Sequence, residues 1–214
     1  MVTLRLGWLA PIAVGVGLGV ASVYADRVDG TLRTVLQFLA STGFAWGCAA
    51  FVAAFPARTR VGAAAAAIVV LCTATGCYYV LNLSGGDWLA PVLTAAAYWM
   101  LLSVAGGAVL GVLAHVIRTD RAPVAAAAAG LACGLLAGAG VDIVVSLLAV
   151  GDHGRQRLAE GCLQVVAGVA VTAWLFGRRR GPQSWPRFAV AAVVACTVSG
   201  LAWGAVESVP VIGF

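Results

Sequence analysis

Residues 124–150 read VAAAAAGLACGLLAGAGVDIVVSLLAV, an apolar run interrupted by one ionisable side chain, Asp142. Crossing about 30 Å of hydrocarbon takes about 20 helical residues, so the run is long enough to span a bilayer. A charge inside such a span costs about 2.5 kcal/mol or more and normally faces a cavity or a partner. The rest of the chain is therefore constrained by what surrounds that carboxylate.

Six further runs of this kind occupy residues 7–25, 34–55, 61–83, 88–117, 158–176 and 188 to about 209. Helices suit them: open strands leave their backbone unsatisfied in lipid, and the runs lack the alternation of a barrel. The chain is 62% hydrophobic and 10% charged, with a mean hydropathy of +1.01, whereas about a quarter of residues are charged in soluble proteins. The expectation is an all-α, polytopic integral membrane bundle of seven transmembrane helices, a single domain over residues 1–214 whose loops are too short to hold an active site.

The thirteen basic residues are all Arg, which with the excess of Ala and Gly points to a GC-rich bacterial gene. With seven spans, nine of the thirteen arginines fall on the side shared by the N-terminus and the second, fourth and sixth connectors. The positive-inside rule then predicts a multi-pass protein of the cell membrane with its N-terminus cytoplasmic and its C-terminus outside. The net charge of +5 does not indicate nucleic acid, because the arginines sit in separate short loops with no basic stripe. Arg5 precedes the first run without a small-residue cleavage site after it, so that run reads as a span and not a signal peptide. The six cysteines fall in different apolar segments with no CxxC pair and read as small buried thiols.

Seven of the eight acids map to the non-cytoplasmic half, Asp120 being the exception. Asp26, Asp29, Asp87 and Asp152 read as solvated loop acids, whereas Asp142 and Glu207 have apolar neighbours on both sides. Residues four apart share a helix face, and Asp142/Ser146, Glu160/Gln164, Gln37/Ser41, Tyr78/Asn82 and Trp203/Glu207 each join polar or amphipathic groups in the outer half of a span. Polar groups from five helices at one depth predict a pocket. GxxxG spacings at Gly107/Gly111, Gly130/Gly134/Gly138 and Gly200/Gly204 predict close helix packing.

Phosphate-loop, zinc-protease and nucleophile-elbow motifs are absent, and His115 and His153 have no second ligand at metal spacing. No metal and no cofactor is expected. What remains is a set of carboxyls with Tyr78, Tyr79, Trp99 and Trp203 in the same or adjacent layers. A carboxyl in an apolar pocket favours its protonated form and is a ready general acid, and a second carboxyl divides donor from acceptor. Aromatic faces stabilise positive charge by about 2 kcal/mol when desolvated. Such equipment serves proton-initiated carbocation chemistry, a proton-coupled carrier or exporter of a lipophilic molecule, or a structural protein whose acids pair with Arg27 or Arg155.

An acid after the first span, Tyr78–Tyr79 in the third, Tyr98–Trp99 in the fourth, and Asp142 and Glu207 late in the fifth and last spans appear in an order that resembles the small bacterial membrane-bound terpene cyclases of the drimentine-pathway type, distantly similar to the fungal meroterpenoid cyclases. The likeness covers nearly the whole chain. It implies an isomerase of terpenoid secondary metabolism that protonates the terminal alkene or epoxide of a farnesyl-type chain on an acceptor, without a metal, through Asp142 and Glu207. On that basis the expected catalytic residues are Asp142, Glu207 and Glu160. The expected substrate-binding residues are Tyr78, Tyr79, Asn82, Trp99, Trp203, Gln164 and Gln37. The implied partners are a lipophilic prenylated small molecule, the lipid bilayer and a neighbouring prenyltransferase.

Overall fold

The computed structural model describes residues 2–83, 89–150, 154–177 and 184–207. These are helical almost throughout, with no strand among the described residues. In chain order they form α1 (Val2–Arg27), α2 (Thr31–Leu36), a π-helical turn (Gln37–Ser41), α3 (Gly43–Ala54), α4 (Arg60–Leu83), α5 (Leu89–Thr119), α6 (Ala122–Val150), α7 (Arg155–Gly177) and α8 (Trp185–Glu207). Prolines mark several starts: Pro91, Pro123 and Pro186 lie in the first turns of α5, α6 and α8, where a missing N–H costs nothing.

Among the described residues, six helices are long and apolar enough to cross a membrane, over Trp8–Arg27, Arg60–Leu83, Val92–Thr119, Ala122–Leu148, Arg157–Gly177 and Trp185–Ala205. They correspond to six of the seven expected spans. The second expected span, 34–55, is instead broken into α2, the π turn and α3. At 12 residues α3 is about 18 Å long, short of the hydrocarbon thickness.

The break has a local cause in Ser41–Thr42–Gly43. Thr42 is extended (φ −89°, ψ 145°) and caps α3, its Oγ1 accepting from the Ala45 N–H at 3.2 Å. The same hydroxyl donates back to the Phe38 carbonyl at 3.0 Å. Hydroxyl side chains compete in this way with the helical ladder. The Ala40 carbonyl accepts from the Ser22 hydroxyl of α1 at 2.5 Å and from the Trp46 indole N–H of α3. Ser22 and Ala40 are 1% and 3% exposed, so the irregular backbone is sealed inside protein, as an apolar environment demands.

The chain divides into two compact units, Met1–His115 and Val116–Phe214. In the first, α1 lies along α4 with two glycines at the contact. A Cβ at Gly15 would lie 2.6 Å from the Val70 carbonyl oxygen, and one at Gly19 2.6 Å from that of Ala74. The register rises on both helices, so α1 and α4 are parallel, and residues 28–59, which include the broken element, carry the chain back between them. Gly107 and Gly111 set α5 against Ala67–Ile68 and Ala63–Ala64 in the opposite direction, and the Thr75 and Ser103 hydroxyls pair across this contact at 2.8 Å. The core around these crossings is largely alanine, which lets backbones approach where lipid supplies no hydrophobic drive.

In the second unit α6 is central. Its Gly130, Gly134 and Gly138 meet Ala191, Ala195 and Ser199 of α8 at constant offset, making α6 and α8 parallel. Gly140 meets Gly161 and Gln164, and Ala137 meets Gly168, in falling register, so α7 is antiparallel. The expected GxxxG spacings therefore do mark tight crossings.

Candidate functional site

The α6–α8 contact places Asp142. Continuing the register past Ser199, Gly200 meets Val141 and Gly204 meets Asp142, whose Oδ1 lies 2.9 Å from where a Gly204 Cβ would stand. Asp142 is half-buried, and no hydrogen bond or ion pair to it forms among the described residues. Glycine at 204 therefore makes room for a carboxylate inside the α6–α8 contact.

Glu207 is the last residue of α8, one turn beyond Gly204. The side chains of Glu207 and Gln37 lie outside the described residues. Trp203 precedes Gly204 and is half-buried. On α7, Glu160 is half-buried and Gln164, one turn on, is 2% exposed. The Gln164 Oε1 has no hydrogen-bond partner among the described residues. The Gln164 Cβ sits 2.8 Å from the Cβ position of Gly140, so it packs on the face of α6 turned to α7. Asp142, two residues and about 200° further round α6, packs on α8. Sequence spacing set Asp142 and Gln164 around one pocket; the structure sets them on different faces of α6.

In the first unit the expected residues of α4 do gather, around an acid the spacing argument passed over. The Tyr78 hydroxyl donates to Oδ2 of Asp26 at 2.9 Å, and the Tyr79 ring meets the Tyr78 ring edge-on at 5.3 Å. Arg27 donates to the Leu81 carbonyl at 3.3 Å. Trp99 stacks edge-on with Tyr98 at 5.8 Å. Asp26 is exposed at the end of α1, as expected of a solvated acid, and Gly15, Gly19, Ser22 and Asp26 follow one another by four, three and four residues and so share a face of that helix. That spacing is the signal that finds it.

A groove of about 310 Å³ on α5 is lined by Ala108, Val109, Val112 and Leu113, none of them an expected site residue. His115 lies with Nδ1 3.4 Å from the Ala57 carbonyl. Among the described residues no group of three or more His, Cys, Asp and Glu is placed to hold a metal ion.

Six long apolar helices, glycine-mediated crossings and acids set at helix contacts are consistent with a multi-pass membrane protein. The chain belongs to DUF6518, a family of unknown function whose profile matches residues 3–208. No curated protein and no solved structure matches it.

Proposed function

We propose that the protein is a membrane-embedded cyclase that protonates the terminal alkene or epoxide of a farnesyl-type chain carried on an acceptor and closes it through a carbocation cascade. The observation that carries this reading is Asp142: a carboxyl at a helix contact within an apolar span, with Gly204 leaving room beside it and no counter-charge among the described residues. In this reading the carboxyl is the general acid that donates the initiating proton. Asp142 gives its proton to the substrate, the cation moves through the closing rings, and a final proton returns to a carboxylate, so the product is an isomer of the substrate. Glu207 and Glu160 are the proposed acceptor and orienting acids. Trp203, next to Gly204 on α8, is the proposed cation-stabilising face.

The reading includes seven crossings, the second made by the broken α2–π–α3 element, with the N-terminus cytoplasmic and the C-terminus outside the cell membrane. Its support is the parallel α1 and α4, which require the chain to return between them, and the distribution of arginines.

A second reading, a proton-coupled carrier of a lipophilic molecule, draws on the same break, since discontinuous helices recur at transporter binding sites. Membranes holding the protein, incubated with a farnesylated aromatic acceptor and no added metal, separate the two. An isomeric cyclic product that disappears in Asp142→Asn supports the cyclase. Absence of product across a panel of prenylated acceptors, with uptake driven by an imposed pH gradient, overturns it in favour of the carrier.

A further inference from the structure

Where α1 and α4 end side by side, a carboxylate and a guanidinium stand next to each other, and no ion pair joins them among the described residues. Asp26 and Arg27 are consecutive, both are exposed, and they close the apolar span Trp8–Arg27. Each is tied to α4 through one atom. Oδ2 of Asp26 accepts from the Tyr78 hydroxyl at 2.9 Å, and Nη2 of Arg27 donates to the carbonyl of Leu81, in the last turn of α4, at 3.3 Å. These bonds orient both charged groups, while Oδ1 of Asp26 and the other guanidinium N–H groups have no partner among the described residues. Along α1, Leu9, Ile12, Val16, Val20 and Tyr24 are all exposed and follow one another at helical spacing, a stripe that ends at Arg27. In a bilayer such a stripe faces acyl chains, and the end of the span lies at headgroup depth.

We propose that Asp26 and Arg27 form a binding site for a lipid headgroup that carries a primary ammonium and a phosphate, as phosphatidylethanolamine does. Arg27 holds phosphate oxygens with its N–H fork, Oδ1 of Asp26 accepts from the ammonium, and the acyl chains lie along the stripe below. Charge selects the class: a purely anionic headgroup meets the Asp26 carboxylate, a metal cation meets Arg27, and a zwitterion leaves neither group opposed. A quaternary ammonium has no N–H to give to Asp26. Consecutive Cα atoms are about 3.8 Å apart, so the two side chains serve one headgroup. The proposal stands independently of the cyclase reading.

The test titrates the full chain, purified in detergent, with phosphatidylethanolamine, phosphatidylglycerol and phosphatidylcholine of identical acyl chains, and reads bound lipid by native mass spectrometry. Phosphatidylethanolamine should occupy the wild type most strongly, and free phosphoethanolamine, which lacks the chains, should not displace it. Arg27→Gln should weaken its binding by about threefold or more. Asp26→Asn should do the same and let phosphatidylglycerol overtake it, because the guanidinium then acts alone. Equal occupancy of the wild type by all three lipids, displacement by free phosphoethanolamine, or an equal fall for all three lipids in Asp26→Asn overturns the proposal. The wild-type ranking uses no variant, so it decides even where a substitution prevents folding.

Discussion

Replacing Gly134 by alanine should destabilise the protein, although alanine is the better helix former. A Cβ at 134 would lie 2.3 Å from the Cβ of Ala195 and 2.4 Å from its carbonyl carbon, where ordinary contact begins at 3.4 Å. Backbone cannot swing aside as a side chain does, so α6 and α8 must part by about 1 Å, loosening the neighbouring contacts at Gly130 and Gly138. Overpacking of this kind costs about 1–3 kcal/mol, against a helix-propensity gain of up to about 1 kcal/mol. The expected net loss is about 1–2 kcal/mol. Gly17 and Gly106 supply the control, since a Cβ at either meets nothing within 4 Å; alanine there should be neutral or stabilising by up to about 1 kcal/mol. The assay is unfolding of purified protein in mixed micelles by titration with sodium dodecyl sulfate, followed by circular dichroism. Gly134→Ala as stable as wild type, or Gly17→Ala as damaging as Gly134→Ala, would refute the packing argument.

Gly204→Ala puts a Cβ 2.9 Å from Asp142 Oδ1, so the carboxylate must turn away; turnover should fall at least tenfold while stability in the same titration changes by less than about 1 kcal/mol. Trp46→Phe and Ser22→Ala each remove one donor from the buried Ala40 carbonyl. Because either donor still satisfies it, each single change should cost less than the about 1–3 kcal/mol of an orphaned acceptor, and the double variant should lose more than the sum of the two. Additive losses in a double-mutant cycle would contradict shared capping of the break.

Hydropathy located the six long helices because a run of apolar side chains this long has one stable form in lipid. It did not foresee the break within 34–55 because the deciding groups there are not apolar. Ser41 and Thr42 weigh little in a hydropathy window, yet the Thr42 hydroxyl takes over two places in the backbone ladder, and the rescuing donors Ser22 and Trp46 come from elsewhere in the chain. Face arithmetic worked within a helix and faltered between helices. Four-residue spacing carries no information on which neighbour a face adopts. Asp142 went to α8 and Gln164 to the α7 side of α6. The glycines at 15 and 19 hid within the alternating GVGLG of α1, although they mark the contact that fixes its direction against α4 and brings Asp26 to Tyr78.

Proton donation by Asp142 is tested most directly by running the reaction in deuterated water. Membranes with the wild-type protein and a farnesylated acceptor should give a cyclic product carrying one deuterium at the carbon that received the initiating proton, and Asp142→Asn membranes should return the substrate unchanged. A cyclic product without deuterium, or one formed as fast by Asp142→Asn as by wild type, would contradict the assignment of the donor.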